Sequence, residues 1–194
     1  LRRGQIVRGI PWLWLLLFTC SVQAAESYRL DAAQTQVSIE VRRLGIALLT
    51  AHFHQFAGAL IVDRNGSDNR IDLTVLTNSI EGSDPQWNAR LRSPEWLDAQ
   101  RYPEMSYHSV EVRLGNQTDA LAIGQLTLHG VTRPATVRVS RLDCSAEPPG
   151  SKRPCTFDAQ AQIKRSDFGL PHGFWVGGDE VEILIRGVGI PSDR

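Results

Sequence analysis

Apolar and polar residues alternate with a period of two along much of the chain. From Thr35 to Arg43, Val37, Ile39 and Val41 fall on one side, with Ser38, Glu40 and Arg42 on the other. From Arg70 to Asn78, Ile71, Leu73 and Val75 oppose Asp72 and Thr74. Phe157, Ala159, Ala161 and Ile163 alternate with Asp158, Gln160, Gln162 and Lys164. Val181, Ile183 and Ile185 do the same against Glu180, Glu182 and Arg186. Successive side chains of a strand point to opposite faces, so each run predicts a strand with one dry and one wet face. The stretches 47–63, 104–114, 120–129 and 134–142 are also β-rich, with less regular alternation. Turn residues separate the runs at Asp63–Gly66, Gly115–Asn116, His129–Gly130 and Pro148–Gly150.

The helical exception is 83–98. Ser93 before Pro94 and Glu95 predicts an N-cap followed by proline at the first helical position, and Asp84 to Leu91 predicts a second short helix. No βαβ rhythm is present, so the fold class is all-β: an antiparallel sandwich or barrel. A barrel of about eight strands either fills its own interior or holds one small ligand. Alternation does not decide between the two.

Ahead of the strands, Arg2, Arg3 and Arg8 precede the apolar run Ile10–Val22, which ends in small residues at Ala24 and Ala25. This order predicts a secretory signal peptide over 1–24 and a single domain over 25–194. A membrane anchor is the rival, but the run falls short of the ~20 residues a spanning helix needs. Leu17-Phe-Thr-Cys20 fits a lipoprotein cleavage site poorly. The expected location is therefore periplasmic or secreted.

The full sequence carries 21 basic and 21 acidic residues. Without 1–24 it loses three arginines and Cys20 and becomes slightly acidic, which argues against a nucleic-acid partner. Apolar residues at 42% and charged ones at 22% exclude wholesale disorder. The two remaining cysteines, Cys144 and Cys155, predict a disulfide in an exported chain. Closing so short a loop contributes about 3 kcal/mol on the chain-entropy model.

Catalytic chemistry is hard to find. Asp167-Phe-Gly169 has none of the companion motifs of a kinase. His52 and His54 share a strand face, a geometry that can hold a metal, but lack Cys, Asp or Glu partners at suitable spacing. His129 and the pair Asp179-Glu180 read as turn chemistry, and neither a Gly-x-Ser-x-Gly elbow nor a Cys–His arrangement occurs. No catalytic residue, metal ligand or required cofactor is expected, and the chain is not expected to be an enzyme. What remains is apolar surplus. Trp87, Leu91, Trp96 and Leu97 lie on the helical insertion, and Phe174-Trp175 in a glycine-rich loop. They either line the mouth of a cavity or pack helices onto a barrel rim.

Several short motifs occur together: Arg43-Leu-Gly-Ile46, Phe53-His-Gln-Phe-Ala-Gly58, Leu91-Arg-Ser-Pro-Glu-Trp-Leu-Asp98 and Tyr102-Pro-Glu-Met-Ser-Tyr-His-Ser109. Gly124-Gln-Leu-Thr-Leu-His-Gly-Val-Thr-Arg-Pro134, Arg165-Ser-Asp-Phe-Gly169 and Gly178-Asp-Glu-Val181 follow. In this order, over about 28–190, the chain resembles the YceI-like family of exported polyisoprenoid-binding proteins. It departs from the family pattern at Arg43, where histidine is common, at Trp96-Leu97, where an aromatic pair is usual, and in the 144–155 loop. The resemblance implies a lipocalin-like antiparallel barrel with a helical segment at one end. Its interior would take a long apolar chain: an isoprenoid quinone, a polyprenyl lipid or a fatty-acid derivative.

Strand parity and the resemblance together nominate a lining. From the strands it comprises Val37, Ile39, Val41, Phe53, Phe56, Ile71, Leu73, Val75, Met105, Tyr107, Phe157, Ile163, Ile183 and Ile185. Trp87, Leu91, Trp96 and Phe174 would close the mouth. The expected partners are the lipid and, transiently, a membrane or membrane protein, with homodimerisation left open. The alternative is a ligand-free exported interaction or stress-response module serving a membrane cytochrome.

Overall fold

The alternating runs become strands that close into a ring. The computed structural model describes residues 25–43, 46–63, 68–115, 118–144, 153–172 and 178–192, with only the backbone of 42, 43 and 46–48. The expected leader over 1–24, the Pro148–Gly150 turn, most of the Asp63–Gly66 turn and Phe174-Trp175 lie outside the described residues.

In chain order the strands are β1 (Glu26–Leu30), β2 (Gln36–Arg43), β3 (Ile46–Phe53), β4 (Phe56–Val62), β5 (Arg70–Leu76) and β6 (Ile80–Gly82). After helix α1 (Pro85–Arg92) come β7 (Glu104–Leu114), β8 (Ala120–Leu128), β9 (Val131–Asp143), β10 (Cys155–Lys164) and β11 (Glu180–Pro191). Neighbours pair antiparallel in the order β1-β4-β5-β7-β8-β9-β10-β11, and β11 returns to β1 through Tyr28 opposite Pro191. The result is a closed eight-stranded barrel. β11 is long enough to serve two neighbours on one edge. Its Val181–Arg186 half pairs with β2, and its last residues pair with β1. β2, β3 and β6 continue the wall as an arm beside α1.

Local chemistry explains the irregular points. The β8–β9 hairpin turns through His129 and Gly130, both at positive φ (52° and 73°), the geometry a two-residue turn needs to match strand twist. A side chain at 130 would also strike the Tyr102 ring, 2.5 Å from where its Cβ would stand.

The helical segment differs from expectation. Asp84, not Ser93, is the N-cap, its carboxylate accepting from the Gln86 amide at 2.8 Å, with Pro85 in the first turn. Ser93 ends the helix instead, because the following proline disfavours α geometry and leaves Ser93 extended (φ −67°, ψ 162°). The Ser93 hydroxyl donates to the Arg90 carbonyl at 2.7 Å. The short helix expected over Asp84 to Leu91 is α1, and the one expected after Ser93 is instead a turn over residues 94–97. β1 and β6, both short, had no period-2 signal long enough to notice.

Two apolar clusters line the inside of the barrel. The upper one, beside α1, joins Leu91, Trp96 and Leu97 to Phe53, Ile80, Leu128 and Phe168. The lower one, where β1 closes the ring, joins Tyr28, Leu30, Leu60, Phe157 and the Cys144–Cys155 disulfide.

Candidate functional site

Inward parity places one row of side chains from each strand along the barrel axis. On β10 the row is Phe157, Ala159, Ala161 and Ile163, so two small residues sit between two bulky ones. Ala135 on β9 adds a third small side chain to the same cavity. The middle of the barrel is therefore unfilled. This lower chamber is a narrow cavity of about 60 Å³, lined by Val37, Ile71, Leu73, Val75, Met105, Tyr107, Leu126, Val137, Ile183 and Ile185 together with the alanines.

A second narrow chamber, of about 50 Å³, lies above it, directly beneath the helical segment. Ile39, Val41, Leu49, Phe53, Ile80, Leu128, Ile163, Leu170 and Val181 form its walls, and Leu91, Trp96 and Leu97 form its roof. Both chambers present only apolar surface.

Tyr107 is the one hydroxyl-bearing aromatic in the lower wall. Its hydroxyl donates to the Ala122 carbonyl at 3.0 Å, and burial pushes its pKa up to about 12. Its ring covers Gly124, where a Cβ would stand 2.8 Å from it and 2.3 Å from the His108 carbonyl oxygen. Arg165, 3% exposed, borders the upper chamber without adding polar surface there. Its guanidinium donates to the Gly178 carbonyl and lies 5.6 Å from the Trp96 ring centre. Burial lowers its pKa, and nearby Asp179 opposes that shift. The Asp179 carboxylate holds the Ser166 amide and hydroxyl at 2.8 and 2.7 Å, which keeps its own pKa below the usual range.

The roof is attached at few points. Asn88 on α1 accepts from the Gly82 amide at 2.7 Å, and Arg92 donates to the Ile80 carbonyl at 2.6 Å. Trp87 and Trp96 meet edge to face, ring centres 6.1 Å apart, with the Arg90 guanidinium 5.4 and 6.0 Å from the two rings.

Of the nominated lining, Val37, Ile71, Leu73, Val75, Tyr107 and Ile185 stand at the lower chamber, and Ile39, Val41, Phe53, Leu91, Trp96 and Ile163 at the upper. Met105 and Ile183 stand at both. Three nominees lie elsewhere. Phe157 packs over Gly187, where a Cβ would approach its ring to 2.3 Å, and plugs the lower end. Phe56 is half-buried between the two clusters and borders neither chamber. Trp87 is 37% exposed on the outer side of the roof, in the first turn of α1. Phe174 lies outside the described residues. Sequence reasoning missed Leu49, Ile80, Leu126, Leu128, Val137, Leu170, Val181 and the three alanines. Leu126 and Leu128 alternate cleanly, but the small Ala122 and Gly124 on the same face and the apolar Leu121 and Ile123 on the other mask the pattern.

The histidine pair faces outward: Gln36 contacts His52 at 3.0 Å, and His54 approaches Glu81 at 3.1 Å with both side chains exposed. Among the described residues no three His, Cys, Asp or Glu side chains gather to hold a metal, and no helix is long and apolar enough to cross a membrane. Asp167-Phe-Gly169 is a 3-10 turn ended by Gly169 at φ 70°.

A family model described as a YceI-like domain matches residues 28–188. Protein YceI of Salmonella arizonae and of Salmonella paratyphi B are each 31% identical to this chain over 179 residues, covering 90% of it and 92% of the relative. The crystal structure of Burkholderia cenocepacia BcnA superposes with a TM-score of 0.71 at 24% identity, over 82% of this chain and 98% of that one. A polyisoprenoid binding domain from Saccharophagus degradans, implicated in plant cell wall breakdown, superposes with a TM-score of 0.58 at 17% identity, over 86% and 99%. The chain belongs to the YceI-like family.

Proposed function

We propose that the chain binds a long-chain apolar lipid, an isoprenoid quinone, polyprenyl lipid or fatty-acid derivative, with its tail inside the barrel. The observation that carries this reading is the entirely apolar surface of both chambers. Such a surface recognises a tail and offers nothing to a charged head, so the head group stays at the lid end, in or near water. The fold relationship to a domain described as polyisoprenoid binding supports the same ligand class.

Energetics shape how such a protein works. Each methylene moved from water gains ~0.8 kcal/mol, so a long tail's gross transfer energy passes the practical ceiling on affinity. A tail in a bilayer is already dry, however. Net affinity then rests on fit, and exchange takes place against a membrane or a membrane protein. Our reading places the protein in the periplasm, after removal of the leader over 1–24, where no chemistry by the protein itself is needed. Native mass spectrometry and organic extraction of the properly exported protein test this. A stoichiometric apolar compound is expected. Repeated extraction without one, together with no uptake of added quinone or polyprenol, would overturn the proposal.

A further inference from the structure

The two chambers are stacked along the strands. β2 contributes Val37 to the lower one and Ile39 and Val41 to the upper, and β11 contributes Ile185 to the lower and Val181 to the upper. Only Met105 and Ile183 border both, and they therefore form the partition. Their strands, β7 and β11, are not neighbours in the sheet, so the two side chains reach the partition from separate parts of the wall.

The two halves of the partition differ in kind. Isoleucine is β-branched and stiff at its first torsion, and Ile183 sits in a continuous ladder between Ile39 and Ala161. Methionine is unbranched, has three rotatable side-chain bonds and tolerates many packings. Met105 is also the single methionine of the sequence. Its neighbour on β5 is Val75, another β-branched residue with little freedom to move aside. When an apolar chain must pass from one chamber to the other, Met105 is the side chain able to swing out of its way.

Resting on the lipid-binding reading, we propose that Met105 is the specificity-determining residue of the barrel: a valve that sets whether a tail occupies the upper chamber alone or continues through the partition into the lower one. A short prenyl chain that widens the upper chamber alone leaves Met105 in place. A long chain threads past it. Chain length, and not head group, is then what the interior reads.

Farnesol and solanesol, a short and a long prenol, separate these states. Binding is measured on the full mature protein by native mass spectrometry and by extraction after gel filtration. In Met105→Phe, solanesol affinity should fall about tenfold or more, the usual penalty for overpacking a core, while farnesol affinity changes less than about threefold. Met105→Ala should shift preference the opposite way, toward solanesol. A carbon-13 methyl label on methionine provides a readout in the unsubstituted protein. The Met105 signal should move strongly with solanesol and little with farnesol.

Equal effects of both substitutions on the two prenols, or a Met105 signal indifferent to solanesol, would overturn the valve while leaving lipid binding intact. A wild-type protein that retains neither prenol would overturn the lipid reading and the valve with it. The labelled wild-type measurement decides the question even where a substituted barrel folds poorly.

Discussion

The lower end of the barrel is closed by its own strands, and the upper end by a separate segment laid across it. Below, Phe157 fills the space over Gly187, Tyr28 and Leu60 pack beside it, and the Cys144–Cys155 disulfide ties the end of β9 to the start of β10. Moving any of these side chains disturbs the pairing of the ring itself. Above, Leu91, Trp96 and Leu97 bury apolar surface, and among the described residues Asn88 and Arg92 are the side chains of α1 that hydrogen-bond to the arm. A segment held by a few side chains opens at lower free energy than a hydrogen-bonded wall. The difference assigns a floor and a lid, and under the lipid-binding proposal a tail would lie with its free end down.

The largest expected effect comes from breaking the floor. Phe157→Ala removes a buried aromatic above a glycine that cannot fill the gap, so stability should drop by about 3–5 kcal/mol in denaturant unfolding. Ligand release through the lid should keep its rate. A release rate that rises in parallel would show that the lower end is also a door.

Removing the disulfide is the next step down. Cys144→Ser with Cys155→Ser should lower stability by about 3 kcal/mol through the freedom restored to the unfolded chain. The pair lies in the lower cluster and lines neither chamber, so lipid retention should be unchanged under conditions where the variant remains folded. Thiol labelling of the denatured, unreduced exported protein should find neither cysteine reactive. Two reactive thiols would remove the covalent staple from the floor.

Strand parity was legible in the sequence, and with it the inward face of β2, β5, β10 and β11. Height along the axis was not. Phe157 and Ile163 belong to one alternating row, yet one plugs the floor and the other lines the upper chamber. Height depends on register across strands, on facts such as Phe157 standing opposite Gly187, which a single strand's pattern does not contain. The chamber itself was invisible for a related reason. It exists because Ala135, Ala159 and Ala161 are small, and apolar periodicity scores an alanine as a weak signal and not as a space. At the lid, Ser93-Pro94-Glu95 carries the composition of a helix start, and only the capped turn at Asp84 ahead of it reveals a helix end.

Tyr107 gives a smaller effect that belongs to the wall and not to the lid. Its pKa in the folded protein is about 12, raised by burial from an ordinary value near 10. The folded state thus holds the phenol proton more tightly than the unfolded state does. Stability is full below about pH 10, falls as pH rises from there, and has lost roughly 2–3 kcal/mol by the time pH passes 12. Tyr107→Phe should flatten that part of the pH profile while costing the bond to the Ala122 carbonyl at neutral pH. An unchanged alkaline slope in Tyr107→Phe would mean that other tyrosines set it.

The smallest change tests the lid most directly. Asn88 accepts from the Gly82 amide and so joins the middle of α1 to β6. Asn88→Ala removes this one neutral hydrogen bond, worth about 1 kcal/mol, from a side chain that lines neither chamber. If the lid is the door, the loss appears almost entirely in its opening equilibrium. Transfer of a quinone between protein and vesicles should then quicken by roughly fivefold in both directions. Equilibrium retention should barely move, because the bound tail touches the same walls as before. Tryptophan fluorescence follows this well, since a quinone in the upper chamber quenches Trp96 in the roof. A slower or unaltered transfer rate with an intact fold would show that α1 stays shut during exchange. The lower end, for all its packing, would then have to be reconsidered as the route.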